Sequence, residues 1–558
     1  MQLKDNSKIG KRLKSNIAIF ILYWLLAFVI YLPARNAGCV GDFFEWYEKI
    51  KTLDFVSYIN WNISEMAELY QFTQLVTYCI YRLFDVAPLP WHLLHVTIHV
   101  FNCFLLYRIC KKLFIDSGIK YSFEAAFLGA LLFLISPQVS EAVIYKPAFH
   151  FLLAFTFILV IISCLQHYLN TKKVLYAWVA GIVYLLSTHS LELFLLTPMF
   201  VICIGIYYYL LYKQRADLKR IFLGFLLPEI IAIGLYFLWL RLAFPNKIPH
   251  NASLFTLADF AGKSGKYIFH ILFFGRYFEP GIKNNVYTFL DSKLAVNAFY
   301  FLFIFLIVFT FFRYKHLKQA TKLKILLLFC CLIPMTILSM NWFPNLLLIV
   351  TDRYPYVLVA FLFMLLVLFI VQIPNRVVSY TILIIYALVN IYFTIKVNLY
   401  WRQSSIIMNT MEKTFPEPGN KIILILNEPY CLNGAIIFRA MPNCEFVGFY
   451  NLYHEKKILN TAYDIAAYNM VTANDGAHVN VLNDTTVEVT LNQWGTWWWY
   501  DYQGCTSRET KDYKLDMVDA GHRYRLILKH DAKEYLLLYQ NNKQFKTVNW
   551  DLKNTVQY

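Results

Sequence analysis

Apolar residues gather along this chain into blocks of about twenty, the length that spans a hydrocarbon core. The blocks cover 17–32, 91–110, 123–135, 149–168, 174–187, 191–212, 221–244, 294–312, 325–340, 357–373 and 378–395. They predict about eleven transmembrane helices in a domain over residues 1–400. The third is short and stops at Ser136-Pro137, and Pro228 inside the seventh predicts a kink. Two long polar and aromatic stretches, 35–90 and 245–293, interrupt the series, and within the first, residues 70–84 read as an amphipathic helix at the interface. Beyond about 412 the pattern changes. Residues 421–426 read as a buried strand, and 487–491, 522–529 and 534–539 have β-rich or alternating character, punctuated by Asn-Gly and Asp-Gly pairs. The fold class expected is therefore an α-helical polytopic membrane protein with a C-terminal mostly-β domain over 412–558.

Charge decides the orientation. The N-terminus carries Lys4, Lys8, Lys11, Arg12 and Lys14. The apolar run behind it is too long for a cleaved signal, and Ala34-Arg35-Asn36 is a poor cleavage site, so it reads as a signal anchor with a cytoplasmic N-terminus. Basic loops at 111–122, 170–173, 213–220 and 313–324 then all fall on the cytoplasmic side. The loops at 35–90, 136–148, 187–192, 245–293 and 341–355 fall outside, and an odd number of helices places the β-rich domain outside with them. The expected location is a bacterial inner (plasma) membrane. Composition agrees: 59% of the 558 residues are hydrophobic and 15% charged, against about 25% charged in soluble domains. The formal charge of +16 is accounted for by the loops, and no nucleic-acid partner is expected. Of eleven cysteines, Cys431, Cys444 and Cys505 lie in the outer domain; the first two are the nearest in sequence for a disulfide, though three leave the pairing open, and no spacing resembles a zinc site.

Ionisable residues at membrane depth are costly and usually functional. Asp42 follows the first helix, Glu141 and Lys146 lie between the third and fourth, His189 and Glu192 between the fifth and sixth, and Asp352 and Arg353 between the ninth and tenth. All fall at outer ends of helices, so acids and bases from separate hairpins can converge on one outer site. Each can equally be an ordinary interfacial charge. His92, His95 and His99 share one helical face, a spacing that suits a metal but more often packs against neighbouring helices. Glu229 beside Pro228 faces either an internal cavity or a backbone gap. Trp497-Trp-Trp-Tyr500 is either a sugar platform or β-domain core, and Asn62-Ile-Ser and Asn251-Ala-Ser match glycosylation sequons.

Several segments resemble signatures of the GT-C membrane glycosyltransferases, in particular the transmembrane and tetratricopeptide O-mannosyltransferases and their bacterial relatives. They are Tyr70-Gln-Phe-Thr-Gln-Leu-Val-Thr-Tyr, Pro90-Trp-His-Leu-Leu-His-Val-Thr-Ile-His-Val-Phe-Asn102, Leu134-Ile-Ser-Pro-Gln-Val-Ser-Glu-Ala-Val143, Thr351-Asp-Arg-Tyr-Pro-Tyr356 and, more weakly, Leu185-Leu-Ser-Thr-His-Ser-Leu-Glu192. The resemblance covers about residues 15–400. It implies transfer of a sugar from a polyprenyl-phosphate carrier to a hydroxyl acceptor (protein, lipid or glycan) outside the cytoplasm. Asp42 matches the position of that family's catalytic base, with Glu45 as a local alternative. Arg353 is the first candidate for the carrier phosphate, and Lys146 and His189 follow. Glu141 and Glu192 are supporting acids that orient those cations, hold sugar hydroxyls or bind a divalent metal, and Asp352 accompanies them. The chain departs from the family at Gly41-Asp42, where two adjacent acids are usual, at Leu191, where a Lys is usual, and in lacking tetratricopeptide repeats. A transporter or flippase of lipid-linked glycans and a non-enzymatic membrane scaffold are the rival readings. The absence of an internal repeat counts against the first, and the acids in the first loop against the second.

Overall fold

The computed structural model describes residues 3–64, 70–212, 215–243, 257–313, 317–338, 353–438, 445–491, 496–497, 506–519, 521–552 and 555–558. The chain enters through α1 (Leu3–Tyr31), and the first long stretch folds into α2 (Asp42–Thr52), α3 (Phe55–Ser64) and the amphipathic α4 (Gln71–Phe84). A bundle follows: α5 (Pro88–Asp116), α6 (Ser122–Leu134), the short α7 (Ser140–Ile144), α8 (Phe149–Thr171), α9 (Leu175–Thr188) and α10 (Thr197–Tyr212). Next come α11 (Arg215–Ile221), α12 (Leu227–Ala243), α13 (Leu257–Leu272), α14 (Pro280–Leu290), α15 (Lys293–Arg313) and α16 (Gln319–Leu338). The helical part closes with α17 (Tyr356–Ile370) and α18 (Arg376–Thr414).

Every apolar block of the sequence carries a helix among the described residues. By length and composition seven are long and apolar enough to cross a membrane, and an eighth if the bent pair Ser122–Leu134 and Pro137–Ile144 is one span. Leu175–Thr188, Lys293–Leu302 and Tyr356–Ile370 are shorter apolar helices. The 58° bend in the pair falls at Ser136-Pro137, since proline cannot donate to the preceding turn. At Pro228 the strain is absorbed upstream, in a single π-helical stretch at Phe222–Leu226. A wider turn of this kind makes room for a proline ring one turn later.

The core of the bundle is α5, which packs against α1, α6 and α8, while α17 lies against α6 and α16. Tyr23 and Tyr31 of α1 donate to the carbonyls of Phe127 (2.9 Å) and Leu134 (3.3 Å). His99 bonds the Tyr356 hydroxyl through Nδ1 at 2.7 Å, and Asn102 donates to the Leu152 carbonyl at 2.9 Å. This face of α5 is thus a polar seam joining α5, α8 and α17. Among the described residues no three His, Cys, Asp or Glu side chains are grouped to hold a metal ion.

The last helix extends beyond its sequence expectation. The apolar block stops at 395 because Lys396 and Arg402 follow it, yet α18 continues to Thr414. Val397, Trp401, Ser404, Met408 and Met411 form a buried stripe at helical spacing that carries the turn pattern past those charges. The helix is about 58 Å long at 1.5 Å per residue and leads straight into the β-rich region.

Among the described residues that region has fourteen strands: β1 (Ile422–Ile425), β2 (Glu428–Leu432), β3 (Ala435–Ile436), β4 (Ala462–Asp464), β5 (Ala467–Met470), β6 (His478–Asn483), β7 (Thr486–Thr490), β8 (Thr496–Trp497), β9 (Arg508–Glu509), β10 (Tyr513–Asp519), β11 (Arg523–Leu528), β12 (Tyr535–Asn541), β13 (Gln544–Thr547) and β14 (Val556–Gln557). One helix, α19 (Glu445–Tyr453), is inserted among them. The sheet orders are β13-β12-β1-β4, β14-β6-β7-β11-β10-β9 and β3-β2-β5-β8. β1 pairs in parallel with both β12 and β4. A strand covered on both faces reads as a continuous apolar run, which is why 421–426 is legible as buried. Its Leu424 packs with Val481, Val487, Leu515 and Leu526 of the six-stranded sheet.

Glu428, wholly buried, accepts from the Phe446 amide at 3.1 Å and lies beside Asp464 and Glu445. Burial first, then the neighbouring carboxylates, hold its carboxyl well above the ordinary 4.5. A raised acid favours folding fully below pH 4.5 and progressively less as pH climbs toward its folded value. Glu428→Gln keeps the acceptor for Phe446. It should raise the melting temperature of the purified protein at pH 7–8 and flatten its decline with pH; an unchanged profile would show that the carboxyl stays ionised.

Candidate active site at one end of the bundle

The site is built on the bent segment after α6. Ser136 caps the turn by accepting from the Gln138 amide at 3.3 Å, and three distant elements then fix the segment in place. Thr394 of α18 donates to the Ile135 carbonyl (2.6 Å), Gln138 donates to the His270 carbonyl of α13 (2.9 Å), and the Lys146 amide donates to the Gly38 carbonyl (2.9 Å). All five residues of α7 are buried.

Within this segment Glu141 is 2% exposed. Its Oε1 accepts from Nη1 of Arg353 at 2.9 Å, across 212 positions of sequence. The guanidinium is flanked by the rings of Tyr145 (5.2 Å) and Tyr354 (5.1 Å), and Nη2 donates to the Tyr354 hydroxyl at 3.3 Å. The cation is therefore held in an aromatic slot with a fixed direction. Lys146, one residue past Tyr145, is also 2% exposed, and its Nζ has no hydrogen-bond partner among the described residues. It lies within electrostatic reach of His92 and His95, whose rings are buried on α5 and make no hydrogen bond of ordinary geometry. A buried ammonium without an anion is costly, so this spot favours an anionic guest.

The loop before α2 docks onto the same segment. Gly38 has φ +89°, and a Cβ there would sit 1.9 Å from the Ile144 carbonyl oxygen; at Gly41 (φ +64°) a Cβ would meet the Tyr145 hydroxyl at 2.6 Å. Ser405 of α18 secures the loop by donating to the Asn36 carbonyl at 3.0 Å. The backbone thus delivers Asp42, first residue of α2, next to Tyr145 and so next to the Arg353 slot. Glu45 follows one turn on in α2; the side chains of Asp42 and Glu45, and the whole of Asp352, lie outside the described residues. Gly38→Ala should cost about 1–2 kcal/mol from its left-handed backbone alone, and more because the collision is with another backbone. Thermal unfolding of the purified variant checks this, and a melting temperature equal to the parent's would mean the loop is not docked here.

His189 and Glu192 belong to a second turn. His189 pairs with Oε1 of Gln71 through Nδ1 at 2.9 Å, and its edge meets Tyr236 and Trp239, both at 5.7 Å. Burial lowers its pKa below the usual 6.5, so the imidazole is neutral at pH 7 and offers a hydrogen bond in place of a fixed cation. The turn is stitched to α4, where the Phe72 amide donates to the His189 carbonyl (2.8 Å) and Thr73 donates to that of Ser190 (3.2 Å). Glu192 opens the following 3-10 stretch, half-buried. Tyr70, next to Gln71, sets its ring at a tilt against His150 (5.1 Å), which lies within reach of Arg353. The structure thus brings Glu141, Lys146 and Arg353 together and sets His189 and Glu192 on a neighbouring turn.

Tyr145, Tyr354 and His150 were not singled out from sequence, although each is adjacent to or near a residue that was. The β-rich region covers this end of the bundle. Phe44 of α2 meets Phe449 of α19 at 5.3 Å, Arg276 donates to the Asn433 carbonyl at 3.0 Å, and Cys431 is within reach of both Arg276 and Glu141. The Cys431 thiol, pushed up to about 12 by burial, donates to Asn469 at 3.0 Å, and the disulfide expected with Cys444 falls on a residue outside the described set, as does Cys505. Trp497 lies in β8, with 498–500 outside the described residues. The Asn62 sequon is buried, its amide donating to the Gln71 carbonyl at 3.1 Å; Asn251 lies outside. Glu229 is 2% exposed, packed within the bundle.

No protein-family model matches the chain, and no curated protein sequence matches it significantly. Among solved structures the chain is similar to the archaeal oligosaccharyltransferase AglB from Archaeoglobus fulgidus, in complex with an inhibitory peptide and a dolichol-phosphate. The identity is 12% and the TM-score 0.37, over 73% of this chain and 62% of that one. This chain therefore spans less than two thirds of that protein's length.

Proposed function

We propose that this chain is a membrane glycosyltransferase that moves a sugar from a polyprenyl-phosphate donor to a hydroxyl acceptor on the extracytoplasmic face. The observation that carries the reading is the clustering, on one buried segment, of the Glu141–Arg353 pair and Lys146, whose Nζ has no hydrogen-bond partner among the described residues, with the loop leading to Asp42 docked against them. Departure of a carrier phosphate concentrates negative charge, which preorganised cations in a water-poor slot stabilise. Arg353, oriented by Glu141 and its two tyrosines, and Lys146 supply those cations. Asp42 takes the proton from the acceptor hydroxyl. His189 and Glu192, through Tyr70 and Gln71, border the space where the sugar would lie.

Membranes bearing the protein, given a polyprenyl-phosphate sugar donor, should show transfer, and Arg353→Lys should weaken donor use. Lysine keeps the charge but has no planar fork to lie between two rings while serving two acceptors. A KM for donor raised about tenfold or more, with the acceptor KM unchanged, is the expected outcome; full donor affinity would remove Arg353 from the phosphate site.

A further inference from the structure

At the end of α8 far from Arg353 the structure holds a cavity with a volume of about 670 Å³. Asn16 of α1, the last two turns of α5 and the end of α8 line it. Seventeen residues of α8 separate His150, beside Arg353, from His167 in this cavity, about 25 Å at 1.5 Å per residue. It therefore has no part in the site described above. Sequence charge places it on the side of the basic loops, next to Lys111, Lys112, Lys172 and Lys173.

The charges do not cancel. Arg108, Lys111 and Lys112 contribute three cations at positions i, i+3 and i+4 of one α5 face, against the single carboxylate of Asp116. That carboxylate is already engaged, accepting from Lys112 at 3.1 Å and from the Tyr208 hydroxyl at 3.1 Å. Two helix C-termini point here, each equivalent to roughly half a negative charge. They offset about one further cation and leave a net positive charge of about one. Lys111 is held by the Tyr107 hydroxyl at 2.9 Å and by the faces of Tyr107 and Phe123. Arg108 has no acidic partner among the described residues and rests its guanidinium over Phe104 at 5.9 Å. His167 stacks on Tyr176 at 5.3 Å, and Ile115, exposed, with Ile109 gives the cavity an apolar wall.

A cation-rich recess with one apolar wall, at the end of spanning helices, matches a phosphodiester headgroup with its chain lying along the wall. We infer that this cavity binds the phosphate headgroup of an anionic phospholipid from the leaflet that faces the basic loops, with Arg108 as its principal contact. The inference stands apart from sugar transfer and holds whether or not that reaction is confirmed.

The test is lipid retention by the purified full-length protein, reconstituted in discs containing phosphatidylglycerol and phosphatidylcholine. Native mass spectrometry should show preferential retention of phosphatidylglycerol. Arg108→Gln should reduce that preference on the order of fivefold, the effect of one juxtamembrane cation. The pair Lys112→Gln with Asp116→Asn, which leaves net charge unchanged, should preserve it, and a melting temperature equal to the parent's separates lost binding from lost folding. Equal retention of the two lipids, or an Arg108→Gln variant that keeps full preference, would overturn the inference. So would displacement by millimolar inorganic phosphate without any lipid preference, which would assign the cavity to a soluble anion.

Discussion

Asp42→Asn is expected to lower sugar transfer by about 10²–10⁴-fold, the usual loss when a general base is removed, while leaving insertion and folding intact. Asparagine matches aspartate in shape and keeps hydrogen bonding, but it cannot take a proton. The structural reason to look here is the backbone. Gly38 and Gly41 let the loop lie directly on Ile144 and Tyr145, so α2 begins beside the Arg353 slot. Glu45→Gln, one turn further into α2, is the control and should be milder. The comparison is transfer by equal amounts of the two variants in membranes, with donor and acceptor saturating so that kcat is read. Near-normal turnover in Asp42→Asn would move the base to Glu141 or Glu192.

Glu141→Ala should be the most damaging single change to the protein's stability. It leaves the Arg353 side chain, 17% exposed between two rings, without its carboxylate; breaking a fully buried pair from one side costs about 3–5 kcal/mol, and the remaining solvent contact puts this pair toward the bottom of that range. Arg353→Met alone should also destabilise, by stranding Glu141, which is 2% exposed. The double variant should recover much of the loss, because replacing both partners by apolar groups is often close to neutral. It should nonetheless stay inactive if the guanidinium holds the phosphate. Stability and activity would then separate, with the melting temperature restored and transfer absent. A double variant as unstable as Glu141→Ala would mean that the pair is not the reason for the damage.

The helical blocks were legible because spanning a hydrocarbon core demands long uninterrupted apolar runs, and β1 was legible because a strand paired in parallel on both sides is apolar throughout. The end of α18 was not. Its buried stripe past 395 is mixed with Lys396, Arg402 and four serine or threonine positions, so it shows helical spacing without hydropathy. At the candidate site, sequence could name Glu141 and Arg353 separately, yet their pairing spans 212 positions and leaves no local trace. It could not show that His189 would be spent on Gln71, since the partner sits 118 positions earlier on an amphipathic helix. The rings around Arg353 were hidden differently. In a chain with 41 tyrosines, Tyr145 and Tyr354 stand out only once a guanidinium lies between them.

The attachments of α18 also set a timetable for biosynthesis. Asn398 donates to the Ile30 carbonyl across 368 positions, and Ser405 to the Asn36 carbonyl across 369. At about 5–20 residues per second, the ribosome reaches these anchors on the order of 20–70 s after the first helix has emerged. During that interval the loop bearing Asp42 and the bent segment bearing Glu141 wait without the clamps that α18 supplies. The helix that brings in the covering β region therefore also adds the last clamps of the candidate site, and a nascent chain stalled before residue 394 holds the site's charged groups only through the earlier contacts to Gly38 and His270.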